Sequence, residues 1–184
     1  MIATLAALAL PALANEEVKE PSIKDLEFLV GEWVGQSTFY YPRRDDREIS
    51  HETTHTLCQY ILKNTYIQCD TSWTRPDGRV RTLRLHLNYN ALDEGYQVLY
   101  IYDNWPRHVS YLMQYDSVRG VFAGESIFEN SEGVSGRERV EWRVSDDGHE
   151  VNSAEFSNLE TEAPDYWPKY FDFTWQKIDQ KSGR

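Results

Sequence analysis

Histidine is the side chain best suited to proton transfer and metal binding near neutral pH, and the chain has 5 of them. Four fall in turns or on polar positions of predicted strands, namely His51, His55, His86 and His149. His108 opens a predicted strand and is the one histidine that reaches the rim of the predicted sheet. No partnered base is visible in the sequence, so a surface or rim role is favoured over a catalytic one.

Carboxylates are the other candidates for acid–base chemistry, and several fall in predicted strands: Glu52, Glu125, Glu138, Glu141 and Asp172. The sequence does not show which of them meet in space. Carboxylates in an alternating strand pattern are usually solvated cross-strand partners, and we predict an Arg139–Glu155 pair of this kind on the outer face. Motifs for a serine nucleophile, a zinc protease, a P-loop or a dinucleotide fold are absent from the sequence. His108 and Asp172 remain as secondary catalytic candidates, and we expect no metal and no cofactor.

The composition excludes several classes of function. Acidic residues outnumber basic ones by 30 to 19, which gives a net charge of −11. Lys and Arg form no cluster, so binding to nucleic acid or to an anionic membrane is not expected. Aromatic residues make up 14% of the chain, which excludes a disordered acidic protein. The length of 184 residues corresponds to one domain.

The candidate residues are positioned by an all-β arrangement. Apolar and polar residues alternate from Gly31 onward, with short turn-rich joints and no helical stretch between them. Strands are predicted over residues 32–41, 49–61, 66–74, 79–89, 96–103, 108–116, 121–128, 137–144, 149–158 and 169–178. About ten sequential strands predict an antiparallel up-and-down β-barrel, because so long a sheet closes or splits. A polar leader (15–22) and a short helix capped by Ser22 open the chain, the barrel domain covers 23–178, and 179–184 form a polar tail.

The turn around Pro76 sets the register of one hairpin. Arg75–Arg79 reads RPDGR, which predicts a three-residue loop with Gly78 in the left-handed conformation. This loop places Trp73 opposite Arg81. One face of the hairpin is then largely apolar and the other is charged, which supports the register.

A second hairpin turns at Ser145–His149, which has a similar pattern. The same three-residue loop places Trp142 beside Asn152 and leaves Glu155 on the charged face. The aromatic residues predicted to face inward are Trp33, Phe39, Tyr60, Trp73, Trp142, Phe156, Phe171, Phe173 and Trp175. A second alternating set, whose side the pattern leaves open, comprises Tyr96, Tyr100, Tyr102, Tyr111, Met113 and Tyr115.

The chain has 2 cysteines, and both lie in a third hairpin. A turn centred on Lys63 and Asn64 places Cys58 directly opposite Cys69. In an exported protein this arrangement predicts a disulfide, whereas in a reducing compartment it predicts two buried thiols. A metal pair is not expected, because no further cysteine or inward histidine completes a ligand set.

The first 14 residues have the composition of a secretory signal peptide. Residues 2–14 (IATLAALALPALA) are apolar and end in small side chains before an acidic start at Asn15. No Lys or Arg precedes this run, so the basic part of such a signal is missing. A core helix or a membrane anchor is the alternative, but the run is too short to span a bilayer and Pro11 interrupts a helix. We therefore predict export, with a periplasmic or secreted mature chain.

A sequence motif leads into the first strand. Leu26–Gly35 reads LEFLVGEWVG, so a short helix runs into a Gly-x-Trp-x-Gly motif around Trp33. This motif resembles that of the calycin superfamily, the lipocalin-like barrels, in which the tryptophan closes the base of the barrel. The layout is also similar to bacterial calycin-like families of unknown function, whose repeated Tyr-Asp/Asn-turn-Gly hairpins match residues 89–95 and 115–120.

A Tyr-Pro pair at Tyr41 and Pro42 extends the likeness to the nitrobindin-like haem-binding calycins. Those proteins have a further glycine alternation where this chain has Ser37 and Phe39. They also supply a proximal histidine late in the chain, whereas the last histidine here is His149, in a predicted turn. The haem ligand therefore has no counterpart in this sequence, and haem binding is kept as an alternative only.

The aromatic residues point to the predicted function. A ten-stranded barrel is wider than a filled eight-stranded one and tends to hold a cavity, and aromatic rings with a few hydroxyls suit a planar or hydrophobic ligand. The predicted ligand-binding residues are Trp33, Phe39, Tyr60, Trp73, Tyr100, Tyr111, Met113, Trp142, Phe171 and Phe173. We predict non-catalytic binding of a small hydrophobic or aromatic molecule, unless the rings simply fill the barrel. An acid–base enzyme acting on a bound ring, a haem protein and an envelope interaction protein are the alternatives, and the oligomeric state is left open.

Overall fold

The computed structural model describes residues 20–40, 49–103, 108–129 and 133–178. One 3₁₀ helix covers Ile23–Leu29 and is followed by ten strands: β1 (Gly31–Tyr40), β2 (Ile49–Ile61), β3 (Tyr66–Thr74), β4 (Val80–Asn90), β5 (Gly95–Tyr102), β6 (His108–Asp116), β7 (Val121–Glu129), β8 (Ser135–Val144), β9 (Glu150–Leu159) and β10 (Lys169–Lys177). The predicted signal segment 1–14, most of the polar leader, the Tyr41-Pro42 pair and the tail 179–184 lie outside the described residues.

The ten strands form a closed antiparallel barrel in sequence order. Each strand pairs with the next along the chain, and β1 also pairs with β10. The predicted ten-stranded up-and-down barrel with a short N-terminal helix is therefore confirmed. We call the end of the barrel covered by the helix the lower end and the opposite end the upper end. No helix in the described ranges is long and apolar enough to cross a membrane.

The helix closes the lower end of the barrel. Leu26 and Leu29 are buried in the core, and Trp33 at the start of β1 is 0% exposed. The indole Nε1 of Trp33 donates a hydrogen bond to the carbonyl oxygen of Leu29 at 2.7 Å. At the end of β10, Lys177 Nζ donates to the carbonyl oxygen of Phe28 at 2.8 Å. These contacts fasten the helix to the first and last strands, so Trp33 lies at the base of the barrel.

Two of the three predicted hairpin registers are confirmed. The Arg75 N–H donates to the Arg79 carbonyl at 2.9 Å, so three residues form the loop and Trp73 lies opposite Arg81. Cys58 and Cys69 lie directly opposite each other on β2 and β3 and form a disulfide.

The register predicted for the β8–β9 hairpin is wrong by one residue. The Ser145 N–H donates to the Glu150 carbonyl at 3.0 Å, and Trp142 lies opposite Ser153 rather than Asn152. The carbonyl of His149 instead accepts a hydrogen bond from the Lys177 N–H of β10, at 2.9 Å. Because His149 bonds to another strand, the loop gains a residue and every side chain of β9 changes face.

This shift reverses the prediction for two side chains of β9. Glu155, expected outside beside Arg139, is buried in the barrel and lies opposite Val140. Phe156, expected inside, lies on the outer face opposite Arg139. The predicted Arg139–Glu155 pair therefore does not form, and Arg139 bonds Glu125 of β7 on the outer face, with its Nη2 2.8 Å from the Glu125 Oε1.

The other aromatic residues predicted to face inward belong to the core or pack against it. The sequence did not show which face the second alternating set of residues occupies. In the structure Tyr102 is partly buried against the core and Tyr115 is more than half exposed, and the buried members are Tyr96, Tyr100, Tyr111 and Met113. The interior therefore contains rings from most of the strands.

Candidate functional site

Two glutamates face the interior on the neighbouring strands β8 and β9, and each is bonded to a tyrosine. Glu155 is 2% exposed, and Glu138 is largely covered. The hydroxyl of Tyr111 on β6 donates to Glu138 Oε2 at 2.7 Å. The hydroxyl of Tyr170 on β10 donates to Glu155 Oε2 at 2.8 Å. We refer to Glu138 and Glu155 as the interior carboxyl pair.

An irregularity in β10 turns Tyr170 toward this pair. The β9–β10 register shifts between Lys169 and Phe171, which leaves Tyr170 as the extra residue of a β-bulge. A bulge re-aims a side chain that strict alternation would place on the other face. Phe171 is buried in the core, and the preceding Tyr170 also reaches inside to Glu155.

Burial determines the protonation of the interior carboxyl pair. The pKa of Glu155 is raised to about 8: loss of solvent is the largest cause, the Tyr170 hydrogen bond acts against it, and the charge of Glu138 adds to the rise. Burial likewise raises the pKa of Glu138, against hydrogen bonds from Tyr111 and Tyr170 that lower it. At pH 7 the carboxyl of Glu155 is therefore mostly protonated and can both donate and accept a hydrogen bond.

The surrounding tyrosines stay neutral for the same reason. Burial first, and then the charge of Glu155, raise the pKa values of Tyr100, Tyr102, Tyr111 and Tyr170 well above their usual range. Their hydroxyls therefore keep their protons at physiological pH and act as hydrogen-bond donors or acceptors.

Four polar atoms beside the pair have no hydrogen-bond partner among the described residues: Glu155 Oε1, Ser153 Oγ, the hydroxyl oxygen of Tyr100 and Trp142 Nε1. Ser153 and Glu155 are two positions apart on β9 and so share its inner face, and the buried Trp142 lies opposite Ser153. Leaving a buried polar atom unbonded costs about 1–3 kcal/mol. This part of the interior can therefore hydrogen-bond a polar molecule at little cost to itself.

Aromatic rings enclose this polar region. The rings of Tyr100 and Tyr111 meet edge to face, with centroids 5.3 Å apart. Tyr100 and Tyr102 stack at 6.2 Å, and on β10 the rings of Phe171 and Phe173 lie 6.0 Å apart. A molecule bound at the carboxyl pair would therefore meet ring faces and edges.

The upper end holds a third buried carboxylate, in a different environment. Glu52 is 2% exposed, and Arg81 bonds it with both Nη2, at 2.6 Å, and Nε, at 3.1 Å. The guanidinium carbon of Arg81 lies 3.9 Å from the ring centroid of Phe39 and 5.5 Å from that of Trp73. The charge of Glu52 is thus neutralised by a cation held against two rings, whereas the hydrogen-bond partners of the interior carboxyl pair within the described ranges are tyrosine hydroxyls.

Comparison with known proteins bears on the fold alone. No protein-family model matches the chain, and no curated protein does. Among solved structures, the S-type phycobiliprotein lyase CPES of Guillardia theta aligns over 88% of this chain and 95% of its own, with 11% identity and a TM-score of 0.56. The chain has a calycin-like fold. Lobster apocrustacyanin A1 aligns over 84% of this chain and 63% of its own, with 10% identity, and its TM-score of 0.33 is too low to support an argument.

The predicted ligand-binding residues fall into three groups within the calycin-like barrel. Beside the interior carboxyl pair lie Tyr100, Tyr111, Trp142, Phe171 and Phe173. Phe39 and Trp73 lie nearer the upper end with Arg81. Trp33, Tyr60 and Met113 lie in the lower half. Their role in binding a ligand stays a prediction, and the first group is the one that the structure brings together with polar partners.

The two secondary catalytic candidates lie away from the interior carboxyl pair. His108 is exposed at the upper end of β6. Asp172 lies between the inward residues of β10, and it accepts hydrogen bonds from the Tyr40 hydroxyl at 2.9 Å and from Lys169 Nζ at 2.5 Å. All five histidines fall in the described ranges, and each lies on an outward strand position or in a turn. The interior therefore offers no histidine to a haem iron.

Sequence reasoning missed the interior carboxyl pair for two different reasons. Glu138 shares its strand parity with Val140 and Trp142, both of which face inward, and this signal was present in the sequence. Glu155 was placed outside by the one-residue error in the β8–β9 register. No sequence pattern indicated the bulge that brings Tyr170 inside.

Proposed function

We propose that the protein binds a small aromatic molecule inside the barrel, beside Glu138 and Glu155. The observation that carries this proposal is a buried, mostly protonated carboxyl whose Oε1 has no partner among the described residues, within a ring of tyrosines and phenylalanines. Apolar burial of the ligand ring would supply the affinity, and a few polar groups would fix its orientation.

The polar atoms narrow the chemistry of this ligand. A protonated carboxyl at Glu155 offers one donor and one acceptor, and the hydroxyl of Ser153 on the same face also offers both. A flat molecule whose edge carries an N–H or O–H next to an acceptor matches this pattern. A carboxylate ligand does not match it, because its charge would be repelled by Glu138.

Filling the site should abolish binding of a neutral aromatic probe. N-phenyl-1-naphthylamine has fused rings and one N–H, and we expect saturable, one-to-one binding with increased probe fluorescence. Ser153→Phe places a ring where the ligand would lie, so it should weaken binding at least tenfold. Asn152→Phe is the matched control, since it adds the same ring one residue away on the outer face.

Fluorescence titration of the unmodified protein, Ser153→Phe and Asn152→Phe shows whether the probe binds inside the barrel. Thermal melting shows that each of the three proteins folds. Loss of binding in Asn152→Phe together with normal binding in Ser153→Phe would place the site outside the barrel.

We also propose that the chain is exported and cleaved after Ala14. The Cys58–Cys69 disulfide supports this proposal, because such bonds persist in oxidising compartments. Protein recovered from the periplasm or medium should have the mass of a chain that begins at Asn15. A thiol reagent under denaturing conditions should find both cysteines unreactive. Two reactive thiols would contradict both oxidation and export.

A second candidate function is an enzyme that moves protons on the bound ring. The inward carboxyl–tyrosine pairs favour it, since a protonated Glu155 beside Glu138 and Tyr111 is a plausible arrangement of acid and base. Any small molecule that native mass spectrometry finds bound to the purified protein can be incubated with it in heavy water. Deuterium incorporation that is lost in Glu155→Gln would identify an enzyme, and its absence would leave binding as the function.

A further inference from the structure

The barrel wall is incompletely paired between β6 and β7. These strands pair only over their lower halves, from Leu112 opposite Glu125 to Asp116 opposite Val121. The upper residues 108–111 of β6 pair with β5, and the upper residues 126–129 of β7 pair with β8, but the two segments do not pair with each other. The wall therefore has a seam at this place with no ladder of hydrogen bonds across it.

A cleft of about 540 Å³ lies at this seam. Its lining includes outward residues, among them Leu112 and Ile127, and also Tyr111 and Ser126 from the inner face. Residues of both faces line it because the cleft follows the gap between the two strands. The volume is typical of small-molecule sites.

Tyr111 lines the cleft and also reaches the interior carboxyl pair. It is 2% exposed, its hydroxyl bonds Glu138, and its ring packs edge to face on Tyr100. One side chain thus stands between the cleft and the interior carboxyl pair. A change of its rotamer would open a path from the cleft to the carboxyl pair without breaking any strand pairing, because β6 remains bonded to β5.

We propose that a flat ligand enters and leaves the barrel edge-on through this cleft, with Tyr111 as the movable barrier. This inference rests on the proposed function. A slot between two roughly aligned strands passes a plate-like molecule more readily than a bulky one. Leu112 and Ile127, which is 82% exposed, offer apolar contacts to an aromatic edge. The cleft is also lined by the charged residues Asp93, Glu125 and Arg137. At the lower end the route is closed by the helix and by Trp33.

Stapling the seam tests this route. Continuing the register of the paired half places Ser110 opposite Ile127, and both residues line the cleft. A Ser110→Cys/Ile127→Cys protein joined by a short bismaleimide should bind N-phenyl-1-naphthylamine with association and dissociation rates that both fall at least tenfold. The dissociation constant should not change, because blocking a path alters rates and not the equilibrium. Thr53→Cys/Thr74→Cys, stapled in the same way across the paired β2–β3 seam, is the control and should keep its rates.

Tyr111→Phe provides a second measurement that needs no staple. It keeps the ring and removes the hydrogen bond to Glu138, so stopped-flow mixing should show association several times faster. Unchanged rates in both the stapled protein and Tyr111→Phe would overturn this route and point to entry at the upper end, while leaving the proposed function intact. If the unmodified protein binds no probe, the proposed function fails and this inference fails with it.

Discussion

Replacing Trp33 with Ala should lower the melting temperature by roughly 6–20 °C. Trp33 is 0% exposed, and its indole N–H bonds the Leu29 carbonyl, so the substitution removes both a buried ring and the tie between helix and barrel. Loss of a buried tryptophan typically costs about 3–5 kcal/mol, and each kcal/mol is worth about 2–4 °C in a domain of this size. Thermal unfolding followed by circular dichroism measures the effect.

Trp167→Ala is the matched control for this experiment. Trp167 lies on the outside of the barrel, with the guanidinium carbon of Arg139 4.5 Å and that of Arg137 5.1 Å from its ring centroid. Each cation–π contact contributes about 0.5–1 kcal/mol and the ring is only partly covered, so the melting temperature should fall clearly less than in Trp33→Ala. A Trp33→Ala protein that melts like the unmodified one would show that Trp33 does not close the barrel base.

Replacing Glu155 with Gln should stabilise the protein at pH 7. The folded-state pKa of Glu155 is raised from 4.5 to about 8. Between these two values the unfolded chain releases a proton that the folded protein retains, so stability falls as pH rises. One pKa unit corresponds to about 1.4 kcal/mol, so the raised pKa of Glu155 lowers the free energy of unfolding by on the order of 3 kcal/mol at pH 7. Gln has a similar shape and no charge to bury.

The size of the effect depends on pH, which makes the test specific. Below pH 4.5 both states are protonated, so the Gln variant and the parent protein should have similar free energies of unfolding. The difference should grow through the window from 4.5 to about 8 and stay constant above it. Urea unfolding at pH 4, 6 and 8 measures this curve. A difference that is independent of pH would contradict the raised pKa of Glu155.

Glu52→Gln is the control of opposite sign. Glu52 is as buried as Glu155, but it holds Arg81 through two hydrogen bonds. Removing its charge leaves Arg81 without its partner, so this variant should lose stability at pH 7. The same chemical change thus stabilises one site and destabilises the other, because only one of the two carboxylates faces a cation.

Much of the fold follows from local sequence patterns. The alternation of apolar and polar residues predicted all ten strands to within two residues at their ends. Turn chemistry at Arg75–Arg79 and around Asn64 predicted two registers and, with them, the Cys58–Cys69 disulfide. The Gly-x-Trp-x-Gly motif predicted that Trp33 closes the barrel base. These features depend on residues within one strand or one hairpin, so the sequence contains the information needed to place them.

The candidate site depended on interactions between distant segments, and only the tertiary structure decided it. The β8–β9 register shifted because the His149 carbonyl bonds Lys177, 28 positions along the chain, and this shift brought Glu155 inside. The bulge at Tyr170 and the unpaired seam between β6 and β7 likewise arise when neighbouring strands meet within a closed barrel. Side chains alternate between the two faces of a strand, so a register shift of one residue moves each of them to the opposite face. A non-local hydrogen bond that shifts the register can therefore move a carboxyl group from water into the core.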